Sequence, residues 1–136
     1  MPLDHEQVLA VIARLVNAGP LDALPKKRGD QTVLLVLATA CFDPARVYRE
    51  DDVNERLRAW LASFASPITM DHVSFRRQMV DDRFLLRDAA GAAYRVNVEK
   101  LKGEIAESAR SIDPGAVLQA VRLQREERKR ARATDS

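Results

Sequence analysis

The order in which hydrophobic periods change along this chain of 136 residues predicts a mainly α fold with a small β-hairpin, an α+β domain. Three observations carry that prediction. Residues 30–42 are apolar almost all round, as a buried central helix must be. Two amphipathic segments follow, with apolar residues recurring at i, i+3 and i+4. The period then shortens to two in Phe84–Leu85–Leu86–Arg87–Asp88 and Ala93–Tyr94–Arg95–Val96–Asn97, on either side of Ala89–Ala90–Gly91–Ala92. Helix, short strand, helix, helix, hairpin is the order of a winged helix-turn-helix. The expected organisation is an N-terminal helix in residues 1–22, a winged-helix core in 23–97, and a C-terminal helical extension with a basic tail in 98–136.

Each element has a local cause. Residues 4–18 place Val8, Leu9, Ile12, Leu15 and Val16 at helical spacing, and Asp4 with Gln7 three positions later has the form of a capping box. Gly19–Pro20 stops this helix. Pro25 and Gly29 keep the connector that follows from being helical throughout, and it carries the basic cluster Lys26, Lys27 and Arg28. The central helix begins near Asp30 and ends at Asp43–Pro44, with Cys41 as a small core residue. Val47–Tyr48–Arg49 is short and β-prone, enough for one brief strand. Glu50, Asp51 and Asp52 then load the next helix N-terminus with the charge its dipole favours, ahead of Val53, Leu57, Trp60, Leu61 and Phe64.

Pro67 breaks the pattern, and a further helix is expected from Thr69–Asp71 to about Arg83. Phe75 and Met79 face inward at i, i+4, so Met70, Ser74, Arg77, Gln78 and Asp81 point outward. Beyond the hairpin, residues 99–111 read as one helix through Leu101 and Ile105. Asp113–Pro114 is an N-cap and N1 pair for the last helix, which runs through Val117, Leu118, Val121 and Leu123 and becomes highly charged.

Composition excludes several classes of function. Cys41 is the single cysteine, so an intrachain disulfide is impossible, and with only His5 and His72 no metal-ligand spacing exists. The longest apolar run, residues 33–42 with Thr39 inside it, is half a bilayer span. Asp4, His5 and Glu6 stand where a signal peptide would be basic, so a cytoplasmic location and no membrane partner are expected. There is no glycine-rich phosphate loop and no nucleophile motif. Asp51–Asp52 and Asp81–Asp82 are helix neighbours that diverge by about 100°, so neither is a carboxylate dyad. No enzyme activity, cofactor or metal is expected.

Double-stranded DNA is the expected partner. The helix before the hairpin takes the recognition position, with Ser74, Arg77 and Gln78 offered to base edges. Arg76 is expected to reach a phosphate from the side, Arg87 and Arg95 to flank the wing, and Lys26, Lys27 and Arg28 to add backbone contacts. Charge argues the other way. The net of +2 resides in residues 122–136, where six bases face three acids, while residues 1–121 sum to −1. Over residues 68–88 four arginines are matched by four aspartates, zero net charge where a DNA reader gains from cations. One alternative makes Arg76, Arg77 and Asp81 solvated intrahelical pairs. Another makes the chain a protein-interaction module without direct DNA binding, its terminal helices forming a homodimer through Val117, Leu118, Val121 and Leu123.

Three stretches carry a resemblance: Leu24–Pro25–Lys26–Lys27–Arg28, the segment from Tyr48 through Val53, Asn54 and Leu57, and Asp71–His72–Val73–Ser74–Phe75–Arg76–Arg77–Gln78–Met79–Val80–Asp81. With Leu85–Leu86–Arg87 or its neighbour in frame, then Gly91 and Tyr94, residues 24–96 resemble the bacterial domain-of-unknown-function family 2087. Its members occur alone or fused to DNA-binding transcriptional regulators, so the resemblance implies a winged helix and a link to transcription. Where that family usually has a glycine after the double-arginine helix, this chain has Arg83, which costs on the order of 1 kcal/mol if the position needs a left-handed φ.

Overall fold

The central helix organises the structure, a computed structural model that describes residues 1–66 and 70–135. Helix α2 (Arg28–Ala38), continued by a 3-10 turn at Thr39–Cys41, buries every side chain from 33 to 38. It starts two residues before the expected Asp30, because Gly29 is admitted into its first turn. Helix α1 (His5–Val16) lies against it with Val8, Ile12 and Val16 buried, and the expected capping box is present, the Gln7 N–H donating to Asp4 at 2.9 Å and the Asp4 N–H to Gln7 at 3.0 Å. Asp30 is 6% exposed, and Arg14 of α1 satisfies both its oxygens at 2.7 and 3.1 Å.

Strand β1 (Tyr48–Arg49), helix α3 (Glu50–Ala62), helix α4 (His72–Asp81) and strands β2 (Leu85–Arg87) and β3 (Ala93–Val96) follow in the expected order. The three strands form one antiparallel sheet in the order β1-β3-β2, with Tyr48 opposite Tyr94 and Leu85 opposite Val96. Tyr48, Leu85, Tyr94 and Val96 turn into the core, as period-two alternation requires. The expected break at Pro67 and helix start at Thr69 lie outside the described residues. Met70 is 6% exposed and not outward-facing: it precedes the Asp71 N-cap, so helical spacing does not govern it.

The expected single helix over 99–111 divides. Helix α5 (Val98–Glu104) ends where Ile105 becomes extended and pairs with Leu3: the Leu3 N–H donates to Glu104 O at 3.0 Å and the Ala106 N–H to Leu3 O at 2.8 Å. A 3-10 turn at Glu107–Ala109 leads to helix α6 (Pro114–Asp135), where the Asp113 carboxylate accepts the Gly115 N–H at 3.0 Å as its cap. A β-carbon on Gly115 would stand 2.8 Å from Ser63 Oγ, so α6 starts in direct apposition to the end of α3. Val117 and Leu118 are 9% and 3% exposed, so most of each side chain is taken up within the domain. They are buried with α1, and one hydrophobic cluster runs unbroken from Val8 to Leu118.

Helix α4 is fixed at both ends and at its middle. The Asp71 carboxylate accepts the Val73 N–H at 2.9 Å, which draws its pKa below the ordinary carboxylate value of 3.8. At the other end Arg83 takes φ 66°, the left-handed conformation for which a glycine is better suited. Its N–H donates to Val80 O at 3.0 Å and the Phe84 N–H to Met79 O at 2.9 Å, the paired bonds of a Schellman motif. The Arg83 carbonyl in turn accepts the Asn97 side-chain N–H at 2.9 Å, tying the turn to the far strand of the hairpin. In the middle, Arg76 is only 7% exposed: its Nη2 lies 2.9 Å from Glu50 Oε1, its Nη1 donates to Asn54 Oδ1, and the Tyr94 hydroxyl stands 3.4 Å from the same Glu50 oxygen.

The hairpin turn has a similar device. Gly91 takes φ 73°, and the Asp88 carboxylate accepts the Ala92 N–H at 2.8 Å and the Ala93 N–H at 3.2 Å, which holds its pKa below 3.8.

Three outcomes follow from these restraints. Arg83→Gly relieves about 1–2 kcal/mol of left-handed strain against about 0.5–1 kcal/mol of added chain entropy, a net stabilisation of about 0.5–1 kcal/mol. Urea unfolding should show this as a higher midpoint at unchanged slope. Arg76→Ala strands the Glu50 and Asn54 acceptors. Because Glu50 is half exposed and rehydrates, the loss should be about 2–3 kcal/mol, below the range for a fully buried pair. The lowered pKa values of Asp71 and Asp88 give stability that is complete above pH 3.8 and is lost as pH falls through their folded values. In acid titrations monitored by circular dichroism, Asp88→Asn should make the stability slope below pH 3.8 shallower.

Candidate nucleic-acid interface

With Phe75, Arg76 and Met79 turned inward, α4 presents Ser74 and Arg77 to solvent and Gln78 at its margin, half-buried. The Ser74 hydroxyl leans on the cap, donating to Asp71 Oδ2 at 3.2 Å. Arg77 has no ion-pair partner among the described residues, so the pairing with Asp81 that the alternative reading required is not made. Its five N–H donors are available to a planar, bidentate acceptor.

Arg76 requires a correction. It was expected to reach a phosphate from the helix side, and it instead points into the domain, where Glu50 and Asn54 engage its guanidinium. The reason is tertiary: Glu50 and Asn54 sit one turn apart on α3, a carboxylate and an amide that together satisfy a buried fork.

Arg87 and Arg95 flank the hairpin on opposite faces. Arg87 pairs with Tyr94 and so shares its side of the sheet, with its guanidinium folded beside Gly91 at the tip. Arg95 pairs with Leu86 on the outer side. That outer side also carries Arg49, which pairs with Ala93 two residues from Arg95. Arg49 and Arg95 are both exposed, with no ion-pair partner among the described residues. Alternation would have put Arg49 on the face opposite Tyr48, but its closeness to Arg95 depends on a β1–β3 register that local sequence does not carry.

Lys26, Lys27 and Arg28 are exposed at the start of α2. Arg28 opens onto a cleft of about 660 Å³ whose other wall includes Asp81 and Asp82 at the end of α4 and Lys100 of α5. Sequence reasoning also missed Arg58. It stands exposed on α3, with Nη2 3.5 Å from His72 Nε2 in the first turn of α4. Acidic groups occupy the same surroundings: Asp51 and Asp52 are exposed in the first turn of α3, and Asp71 and Asp81 at the two ends of α4.

Other chemistry is limited. Burial pushes the Cys41 thiol up to about 11, so it is not a thiolate at neutral pH. Trp60 packs edge-on against Phe64 at 4.6 Å and near Phe75 at 5.8 Å, a core role. Among the described residues no group of three histidine, cysteine or carboxylate side chains is placed to hold a metal, and no helix is long and apolar enough to cross a membrane.

The arrangement therefore gathers hydrogen-bond donors and acceptors on one short helix, with cations on the adjoining hairpin and helix ends. No curated protein and no solved structure matches the chain. A family model does match, over residues 20–96, more than half of the length and the span from the connector after α1 to the last strand. The family is described as an uncharacterized protein conserved in bacteria. The chain belongs to that bacterial family, domain of unknown function 2087.

Proposed function

We propose that this chain is a winged-helix protein that binds double-stranded DNA in the bacterial cytoplasm, a regulator of transcription and not an enzyme, acting as a homodimer through its terminal helices. The observation that carries the reading is the division of α4: its apolar residues and Arg76 are turned inward, while Ser74, Arg77 and Gln78 remain on its outer side. Arginine matches the two major-groove acceptors of guanine and glutamine the acceptor and donor of adenine, each such pair worth about 1–3 kcal/mol of discrimination. The order α2, β1, α3, α4, β2, β3, with β1 against β3, supports α4 as recognition helix and the β2–β3 turn as wing. Arg95 on the outer face of that wing and Arg87 beside its Gly91 tip offer cations to the duplex. Arg58, Lys26, Lys27 and Arg28 are candidates for phosphate contacts.

A second reading, a protein-interaction module with no direct DNA contact, is favoured by one observation. The first turn of α3 lies where the leading helix of a helix-turn-helix meets the backbone, and it carries Glu50, Asp51 and Asp52. Glu50 is paired with Arg76, but the exposed Asp51 and Asp52 repel phosphate at low salt.

Fluorescence anisotropy with labelled random duplex, at about 50 mM and about 200 mM salt, separates the two. DNA binding should appear at low micromolar protein in the lower salt and weaken steeply in the higher. Against a selected site Arg77→Ala should lose about 5- to 150-fold, with much less effect on random duplex. Absence of binding at the lower salt refutes the DNA reading.

A further inference from the structure

We propose that the face shared by α1 and α6 is the docking surface for a second copy of this chain, packed twofold and antiparallel. The proposal gives the homodimer named above its surface and its sense, and it stands whether or not DNA is bound.

A groove of about 350 Å³ runs between the two helices, lined by Leu9, Ala13, Ala116, Val117, Ala120 and Val121. Leu9 is 39% exposed and Leu123 is 57% exposed, two of the four large apolar side chains in solvent among the described residues. Leu123 follows Ala116 and Ala120 at i+7 and i+3, so it continues the same stripe of α6. The small alanines let a second helix approach closely, and the two leucines give it apolar side chains to cover.

Charge identifies the occupant. The two helices run in the same direction: the Leu3–Ile105 pairing precedes both, and Arg125 of α6 donates to the Asn17 carbonyl at the end of α1. Asp4, Glu6 and Asp113 are exposed at the starting end of the face. Arg122, Arg125, Arg128, Lys129, Arg130 and Arg132 crowd the other end and outweigh Glu126 and Glu127. A patch with acids at one end, bases at the other and an apolar stripe between is complementary to itself rotated by a half-turn. An antiparallel copy sets each basic end on an acidic end and opposes the helix dipoles, whereas a parallel copy stacks like charges.

Size agrees. The 22 residues of α6 extend about 33 Å, and two helices side by side are about 20 Å wide, on the scale of the roughly 800 Å² per partner of a stable interface. Residues 122–134 of the helix are exposed, and Arg125 ties this stretch back to the end of α1. A stretch that short is marginal as an isolated helix, and a partner supplies the missing packing.

Sedimentation velocity on the full chain, at about 100 µM and without DNA, tests this. The expected result is a species of twice the 15.2 kDa chain mass, and Leu123→Glu should weaken the dimer at least tenfold and leave a monomer that still unfolds cooperatively. Glu6→Arg alone and Arg130→Glu alone should each weaken it as well. Mixing those two variants should restore a dimer, because each heterologous pair then aligns opposite charges at both ends. A monomeric wild type, or a dimer indifferent to Leu123→Glu, overturns the surface. A Leu123-dependent dimer that mixing fails to restore overturns the antiparallel sense. None of these outcomes bears on DNA binding, which the anisotropy assay decides separately.

Discussion

Taking the Arg76 guanidinium out of water would cost several kcal/mol unless its N–H groups found acceptors, and the way they find them sets the geometry of half the molecule. Glu50 and Asn54 lie one turn apart on α3, so both can engage the guanidinium only if α4 crosses α3 at one height and one rotation. Tyr94 brings β3 to the same carboxylate. With Arg76 held there, Phe75 and Met79 must face the core and Ser74 and Arg77 must face solvent. The outward set on α4 is therefore specified by a residue that is itself out of reach. Hydrophobic burial alone would tolerate small rotations of a ten-residue helix; a buried ion pair with an amide partner tolerates far less.

A second restraint of the same kind joins the ends of the chain to its middle. Asp30 is buried in the first turn of the central helix and Arg14 reaches it from α1 with two bonds, a pairing specific in angle as well as distance. The Leu3–Ile105 pairing and the seating of Gly115 on Ser63 complete a frame in which α1, α5 and α6 enclose the family domain. The family match stops at residues 20 and 96, yet the hydrophobic cluster crosses both limits without a gap. Removing the terminal segments would expose the apolar faces of α2 that α1 and α5 now cover.

What could be read from the chain was local. The Asp4–Gln7 capping box, the Asp113 cap, the apolar central helix and the β2–β3 hairpin each depend on residues within a few positions of one another, and each is present. The left-handed turn at Arg83 was signalled only by the resemblance to a family that usually has a glycine there, because an arginine carries no such local signal. The failures were non-local. The burial of Arg76 depends on partners 22 and 26 positions away, and the end of α5 depends on Leu3, about a hundred residues upstream. The closeness of Arg49 to Arg95 needed the β1–β3 register, and the burial of Val117 and Leu118 needed α1 as the surface they cover. Of the candidate interface, residue types were readable and which of them reach the surface was not.

The turn at Arg83 has a mechanical consequence. Its amide is bound to the end of α4, its carbonyl to the side chain of Asn97, and the backbone of Asn97 donates to Phe84 at 3.0 Å. A helix and a hairpin joined by an ordinary loop swing independently. Here the joint is bonded on both sides, and the two elements form a rigid bracket with Arg83 at its corner. A push on the hairpin tip near Gly91 then meets no hinge: the bonded corner passes the load to α4, which Arg76 anchors to α3.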